Sequence, residues 1–95
     1  MTARLDEVLV PRQRLQICAM LSRVSALSCE TLRDALRLSN SAVNMQLRIL
    51  HAAGYVRLRK EPFNSRIHAW AELTPLGRTV LIAHLTRLRT LAGAG

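Results

Sequence analysis

The stretch that decides the fold is LSNSAVNMQLRILHAAGYVRLRK, residues 38–60. Its first half repeats apolar residues three and four positions apart, which is the spacing of one face of an α-helix. These inward-facing residues are Val43, Leu47 and Leu50. Ser39 suits the N-cap of this helix, and Gly54 suits the position just past its end. The pattern therefore predicts a helix over residues 39–53.

The opposite face of this helix consists of short side chains that form hydrogen bonds. Asn, Gln and Ser carry groups that can read the edges of bases in the major groove of DNA, which leucine cannot do. Asn44 has the groups to bridge N6 and N7 of adenine, and Arg48 has those to reach a guanine or a phosphate. Ser39 is expected to cap the helix rather than to touch DNA. The residues predicted to contact DNA from this helix are Asn40, Ser41, Asn44, Met45 and Arg48 on its outer face, and Gln46 nearer its flank.

After Gly54 the apolar period changes to two, as in a β-strand. VRLR at 56–59 and IHAWAEL at 67–73 both alternate, and KEPFNSR at 60–66 holds the residue types of a loop. The pattern predicts a basic β-hairpin. Such a hairpin can lie along the DNA backbone or in the minor groove, although a charged edge strand also serves to prevent aggregation. The residues predicted to contact DNA from the hairpin are Arg57, Arg59, Lys60, Asn64 and Arg66.

Three more helices are predicted around this stretch: residues 11 to about 24, a short helix capped by Ser28, and residues 74 to about 91. The first is expected to bury Ile17, Met20, Leu21 and Val24, and the second Thr31, Leu32, Ala35 and Leu36. Two short helices followed by a basic hairpin have the order of a winged helix-turn-helix. The predicted fold is mainly α with a small β-hairpin: a three-helix core, a two-stranded wing and a long C-terminal helix.

The chain is expected to divide into four parts. Residues 1–10 form an N-terminal arm or short helix, residues 11–73 the winged helix-turn-helix domain, residues 74–91 a dimerisation helix and residues 92–95 a flexible tail.

Two helices carry more apolar surface than a small domain covers alone. The first has a second apolar stripe, and the last repeats leucines at four- and three-residue spacing. A helix that is apolar on two sides needs two neighbours, so either the N-terminal arm or a second subunit covers the extra surface. The predicted dimer interface consists of Leu5, Val8, Leu9, Leu15, Cys18, Ala19, Leu81, Leu85 and Leu88.

The composition favours an anionic partner such as nucleic acid. The 95 residues suffice for one domain, and they carry a net charge of +8. Thirteen of the fourteen basic residues are arginine, an excess that a GC-rich genome would produce as readily as a need for phosphate or guanine contacts. The sequence holds no apolar run long enough to span a membrane and no signal-peptide pattern, so a cytoplasmic location with reduced thiols is expected.

The sequence does not indicate a catalytic or metal centre. His51, His68 and His84 fall in separate segments without the spacing of metal ligands. There is no nucleophile with a matching base, and six acids leave little for acid–base chemistry. We therefore expect neither an enzyme nor a cofactor nor a metal. Cys29, at the start of a helix, leaves open a redox role through a lowered pKa.

The order LRLSNSAVNMQLRILHAAGYVRLRK followed by RIHAWAELTPLGR resembles the single-domain winged-helix transcriptional regulators related to the MarR group. The resemblance extends from Arg14 to Leu88 and is most specific at residues 54–56 and 73–78. It implies a homodimeric DNA-binding regulator, with a repressor as the expected type. The subunits would pair through their terminal helices, and the third helix would enter the major groove.

Two positions of the third helix depart from that resemblance. Met45 stands near a place where the family often has Lys or Arg, and Gln46 replaces a familiar His. The departure implies that affinity rests more on the wing. Gly77 is expected to let the last helix pack closely against the wing, and Arg78 to have a structural role.

Several readings stay open at this point. A winged-helix module that binds an acidic protein is the main rival, and an RNA-binding variant is weaker because stacking aromatics are nearly absent. A small-molecule effector between the dimer helices is unidentified, and so are the target DNA sequence and the direction of regulation.

Overall fold

The computed structural model describes residues 5–93, and their order of elements confirms the mainly α winged helix-turn-helix fold. The elements are α1 Arg12–Leu21, β1 Leu27–Ser28, α2 Cys29–Leu36, α3 Asn40–Ala52, β2 Val56–Phe63, β3 Arg66–Leu73 and α4 Pro75–Gly93. Residues 1–4 of the predicted arm and residues 94–95 of the predicted tail lie outside the described residues. None of the helices within residues 5–93 combines the length and apolar character needed to cross a lipid bilayer.

The helix ends follow the predicted signals. The hydroxyls of Ser28 and Ser39 each accept a hydrogen bond of 3.1 Å from the backbone N–H three residues later, so both are N-caps as predicted. Thr74 Oγ1 accepts a bond of 2.9 Å from the N–H of Gly77 and caps α4 in the same way. Past α3, Gly54 adopts φ +83°, the left-handed conformation that glycine tolerates, and so closes the helix.

The sheet has three antiparallel strands in the order β1-β3-β2, one more than the predicted two-stranded wing. The extra strand has only two residues, which pair with Ala71 and Trp70 of β3. Strands β2 and β3 pair without interruption from Val56 opposite Leu73 to Phe63 opposite Arg66. The predicted loop 60–66 therefore shrinks to a two-residue turn, whose residues both have positive φ, as a tight hairpin turn requires.

One core holds the elements together. Its buried apolar residues are Leu9, Ile17, Cys18, Leu21, Leu32, Val43, Leu47, Leu50, Val56, Ala71 and Leu81. The structure corrects three core predictions. Helix α1 ends at Leu21, before Val24, which is therefore 44% exposed. Thr31 and Ala35 are also exposed, because α2 packs through Leu32 and Leu36.

The N-terminal arm covers the second stripe of α1. Leu9 and Cys18 both have no exposed surface, and Arg14 Nε donates a hydrogen bond of 2.7 Å to the carbonyl oxygen of Val8. This corrects the predicted dimer interface, because Leu9, Cys18 and Leu81 belong to the core of a single chain and offer no surface to a partner. The remaining predicted interface residues keep accessible surface; they are Leu5, Val8, Leu15, Ala19, Leu85 and Leu88.

Candidate nucleic-acid interface

Helix α3 presents a polar face to solvent because its apolar side holds it against the core. Val43 and Leu47 are 2% exposed, and Leu50 is fully buried. Five of the six predicted contact residues lie on the opposite side and are exposed; they are Asn40, Ser41, Asn44, Met45 and Arg48. At 100° per residue these five span less than half of the helix circumference, so they form one accessible ridge.

Gln46 does not belong to that ridge. Its Oε1 accepts a hydrogen bond of 2.9 Å from Arg14 Nη1, and its Nε2 donates one of 3.2 Å to Gln13 Oε1. The amide of Gln46 thus joins α3 to α1, and a DNA contact from this residue stays a prediction. Asn40 is partly engaged too, since its Oδ1 accepts a bond of 2.8 Å from Arg33 Nη1. Its amide NH2 group is the part available to a ligand.

The two faces of the wing differ in chemistry. Because side chains alternate along a strand, Leu58 and Lys60 face α3 while Arg57 and Arg59 face away. Arg57, Lys60, Asn64 and Arg66 are all exposed, as expected of DNA contacts. The wing therefore offers free cations on both faces and around its turn.

Arg59 is the exception among the predicted wing residues. Its Nη1 lies 2.9 Å from Glu61 Oε2, and its Nε lies 2.9 Å from Glu72 Oε2. Two carboxylates thus neutralise this guanidinium and hold it against the outer face of the sheet. His68, on the same face, lies 3.3 Å from Glu30 Oε1 through its Nδ1. The outer face is mostly paired internally.

A groove of about 640 Å³ separates α3 from the wing. The helix side contributes Ser41, Asn44, Leu47 and Arg48, and the wing side contributes Leu58, Lys60 and Ala69. Arg59, whose side chain points to the other face, and Cys29 complete the lining. None of the six acids of the chain lines it: they lie on the arm (Asp6, Glu7), on α2 (Glu30, Asp34) and on the outer face of the wing (Glu61, Glu72). An acid-free, cationic groove beside a polar helix attracts a polyanion.

Residues 13–92 match the family described as a winged helix DNA-binding domain. The chain belongs to this family. Membership of this DNA-binding family confirms the resemblance to winged-helix regulators that the sequence indicated. It also confirms the prediction that the protein is not an enzyme.

Solved structures of regulators share the winged-helix fold. A transcriptional regulator homologue from Pyrococcus horikoshii OT3 superposes with a TM-score of 0.87 at 20% identity, over 94% of this chain and 88% of that one. HlyU from Vibrio cholerae N16961 is 30% identical with a TM-score of 0.70, over 86% of this chain and 84% of HlyU. A MarR family transcriptional regulator from Rhodococcus sp. RHA1 has a TM-score of 0.76 at 15% identity, over 93% of this chain and 64% of that one. No curated protein sequence matches the chain.

Both thiols of this winged-helix domain have raised pKa values. Burial, and secondarily the charge of Asp6, raises the pKa of Cys18 to about 12. Burial and the neighbouring Glu30 raise the pKa of Cys29 as well, which is opposite to the lowered pKa that a redox sensor needs. Within residues 5–93 no group of three His, Cys, Asp or Glu side chains is placed to hold a metal ion.

A polar cluster that was not predicted from the sequence joins the N-terminal arm to Tyr55 and to helix α4. Asp6 Oδ2 accepts a hydrogen bond of 2.6 Å from the hydroxyl of Tyr55, and its Oδ1 accepts bonds from the N–H groups of Val8 and Leu9. The N–H of Asp6 donates to Nδ1 of the buried His84 at 3.1 Å. Tyr55 and His84 lie 49 and 78 positions away in the sequence, so no local pattern announces them.

Proposed function

We propose that this protein is a cytoplasmic homodimeric regulator that binds specific double-stranded DNA sequences and represses transcription. Helix α3 would enter the major groove, and the wing would lie on the backbone or in the minor groove. The observation that carries the proposal is the exposed ridge of α3 beside a cationic groove that no acid lines.

The ridge supplies different kinds of base contact. Asn44 stands at its middle with both amide groups free to bridge N6 and N7 of an adenine, and Arg48 lies one turn later, within reach of a guanine or a phosphate. Met45 is 53% exposed at one edge of the ridge and offers an apolar surface to the methyl group of a thymine. Ser41 and the amide of Asn40 sit near the helix N-terminus, where backbone N–H groups favour a phosphate.

The second half of α4 supports the homodimer. Leu85, Leu88 and Leu91 recur every three residues on one side of the helix, beyond the point where Leu81 enters the core. Leu85 is 43% exposed and Leu91 55%. An apolar stripe of this kind on a helix end favours pairing with a second copy. Two α3 helices held about 34 Å apart would read a near-palindromic site.

Repression follows from simple occlusion. A dimer that covers two successive major grooves blocks other proteins from the same duplex, and this requires no surface beyond the DNA and dimer contacts. Selection of bound duplexes from a random pool, with the purified protein at moderate salt, tests the core of the proposal. We expect enrichment of two related half-sites about one helical turn apart. No enrichment of any sequence would contradict specific binding and would favour a protein-binding module.

Substitutions on the ridge connect the selected sequence to the structure. Asn44→Ala should relax the preference at one base pair of each half-site and weaken binding by about 1–3 kcal/mol. Ala83→Ser, at an exposed position of α4 that does not line the groove, is the matched control and should leave the selected sequence unchanged. An unchanged preference in Asn44→Ala would place recognition elsewhere.

The dimer has its own test. Leu88→Glu places a charge in the proposed stripe, whereas Thr86→Glu places it in the same turn on the opposite, exposed side. Sedimentation should find the first variant monomeric and the second dimeric. Equal masses for both would exclude α4 as the pairing helix.

A further inference from the structure

The tip of the wing carries two exposed apolar side chains on the face that turns toward α3. Pro62 and Ile67 stand directly opposite each other in the β2–β3 register, and Ile67 is 67% exposed. The same face continues inward through Lys60 and Ala69, both of which line the groove beside α3. We propose that Ile67 and Pro62 make an apolar contact with the sugar walls of the DNA minor groove. This inference rests on the proposed function and adds a class of contact that the basic residues do not supply.

The tip has the reach that this contact needs. Leu58 marks the point where the wing leaves the core beside α3, and Pro62 lies four residues farther along the same strand. At about 3.3 Å per residue the apolar pair stands about 13 Å beyond the core. The centres of the major groove and of the adjacent minor groove are half a turn apart, about 17 Å along the duplex. With α3 in one groove, the tip therefore reaches the edge of the next.

Groove width determines which atoms can enter. Two paired strands lie about 4.8 Å apart and are wider still with their side chains, whereas the minor groove of B-DNA is about 6 Å wide. The strands thus remain outside, and single side chains fit. The branched chain of Ile67 and the ring of Pro62 are compact enough for this, and apolar side chains are a known means of contact from minor-groove proteins.

The charges around the tip select this occupant. Lys60 lies on the same face as the apolar pair, Asn64 lies in the turn beside it, and Arg66 precedes Ile67 on the outer face; all three are exposed. Two acids lie nearby. Glu61 points to the outer face, where Arg59 neutralises it, and Glu30, which lines a small pocket with Ile67, lies 3.3 Å from His68 Nδ1. The minor groove has the complementary arrangement, since its apolar sugar walls are bordered by phosphates on both sides. An apolar contact edged by cations fits that surface better than it fits an acidic protein helix.

The wing offers a matched control for a substitution at the tip. Phe63 is 59% exposed at the same level of the hairpin, but it faces outward and packs edge-on against His68, with ring centroids 5.7 Å apart. Ile67→Thr removes apolar surface from the face toward α3 and keeps a β-branched side chain. Phe63→Thr removes apolar surface from the other face. Far-ultraviolet circular dichroism should find both variants folded, because both positions are exposed.

Binding is measured by anisotropy with a selected duplex of about 30 base pairs, long enough for two half-sites. Ile67→Thr should weaken binding by about tenfold, and its dependence on salt should match the wild type, because no phosphate contact is lost. Phe63→Thr should stay within about twofold. With the minor groove filled by a small-molecule groove binder, wild type and Ile67→Thr should bind equally.

Three results would overturn the inference. If Ile67→Thr bound DNA with wild-type affinity, the proposed contact would be contradicted. If Phe63→Thr lost as much affinity as Ile67→Thr, the contact could not be assigned to the face toward α3. A changed sedimentation mass of Ile67→Thr, with unchanged DNA affinity, would make a second copy of the chain the occupant of the tip. If the wild type bound no duplex at all, the proposed function would fail first, so the two failures are distinguishable.

Discussion

Gly77 lies so close to the carbonyl oxygen of Tyr55 that a β-carbon on this glycine would overlap that oxygen and stand 2.8 Å from Leu73 Cδ1. The same carbonyl accepts a hydrogen bond of 3.0 Å from the N–H of Thr74. The start of α4 is thus pressed against the junction of α3 and the wing. This confirms the expected close packing of the last helix at Gly77. Arg78 donates a hydrogen bond of 3.1 Å to the carbonyl oxygen of Ser22, which supports the structural role predicted for it.

Gly77→Ala should therefore destabilise the domain strongly. The added methyl group meets backbone atoms that cannot rotate away, so we expect a loss of about 3 kcal/mol in the free energy of unfolding, measured in urea. Gly93→Ala is the matched control, because a β-carbon there meets nothing within 4 Å, and its effect should stay within about 0.5 kcal/mol. Similar stabilities for the two variants would contradict the close packing at Gly77.

The bond between Tyr55 and Asp6 should contribute measurable stability. Tyr55→Phe removes a hydrogen bond to a charged acceptor at a half-buried site, for which we expect a loss of about 1.5 kcal/mol in urea unfolding. Asp6→Asn should cost at least as much, because Asp6 also accepts bonds from two backbone N–H groups. Glu7→Gln, an exposed neighbouring acid, is the control. If the losses in the free energy of unfolding from Tyr55→Phe and Asp6→Asn added up in the double variant, the two side chains would not interact.

Alkaline pH should weaken the fold through Tyr55. Burial, followed by the hydrogen bond to Asp6, raises the pKa of Tyr55 from 10.0 to about 12. Because the folded state holds this proton more tightly than the unfolded state, its contribution to stability is complete below pH 10 and is lost as the pH rises to about 12. Tyr55 is the only tyrosine, so phenolate absorption reports on it alone.

The titration needs a background without the buried thiol, because the pKa of Cys18 is also raised to about 12. In a Cys18→Ala background, Asp6→Asn should lower the pKa of Tyr55 toward its usual value, since the charged acceptor is gone. An unchanged phenolate titration on removal of that carboxylate would contradict the bond.

Because Arg59 is paired with two carboxylates, Arg59 and Lys60 should contribute unequally to the salt dependence of DNA binding. Lys60→Gln should reduce the slope of log affinity against log salt by about 0.9 per subunit, because each lost phosphate contact releases about one counterion fewer. Arg59→Gln should change the slope much less, since Glu61 and Glu72 already neutralise that guanidinium. Anisotropy titrations over a range of salt measure both. A larger change in slope for the Arg59 variant would mean that it leaves its carboxylates to bind DNA.

Much of the fold was predictable because its signals are local. Ser28, Ser39 and Thr74 cap helices through N–H groups three residues away, and Gly54 closes α3 by its own φ, so each signal lies within a few residues of the feature it marks. The helical spacing of Val43, Leu47 and Leu50 likewise predicted which residues of α3 lie on its outer ridge. These are properties that a linear sequence carries directly.

The unpredicted features arose where partners are distant in the sequence. Strand β1 has two residues and therefore no periodicity, and it exists only because β3 passes beside it. Gln46 was predicted to contact DNA from the flank of α3, whereas its amide forms hydrogen bonds with Arg14 and Gln13 of α1. The sequence left open whether the N-terminal arm or a second subunit covers the extra apolar stripe of α1. Only the complete burial of Leu9 in the core shows that the arm covers it.

Because Arg48 and Lys60 line the α3 groove and no acid does, the electrostatic potential there is locally positive, on the side of the molecule proposed to meet DNA. In the electrostatic field of a DNA duplex, a protein with this uneven charge distribution is both attracted and rotated. Inside the Debye length of about 8 Å at physiological ionic strength, it should rotate into the productive orientation before any atoms touch. Added salt would then reduce the fraction of collisions that succeed, and association would slow even where the final contacts are unchanged.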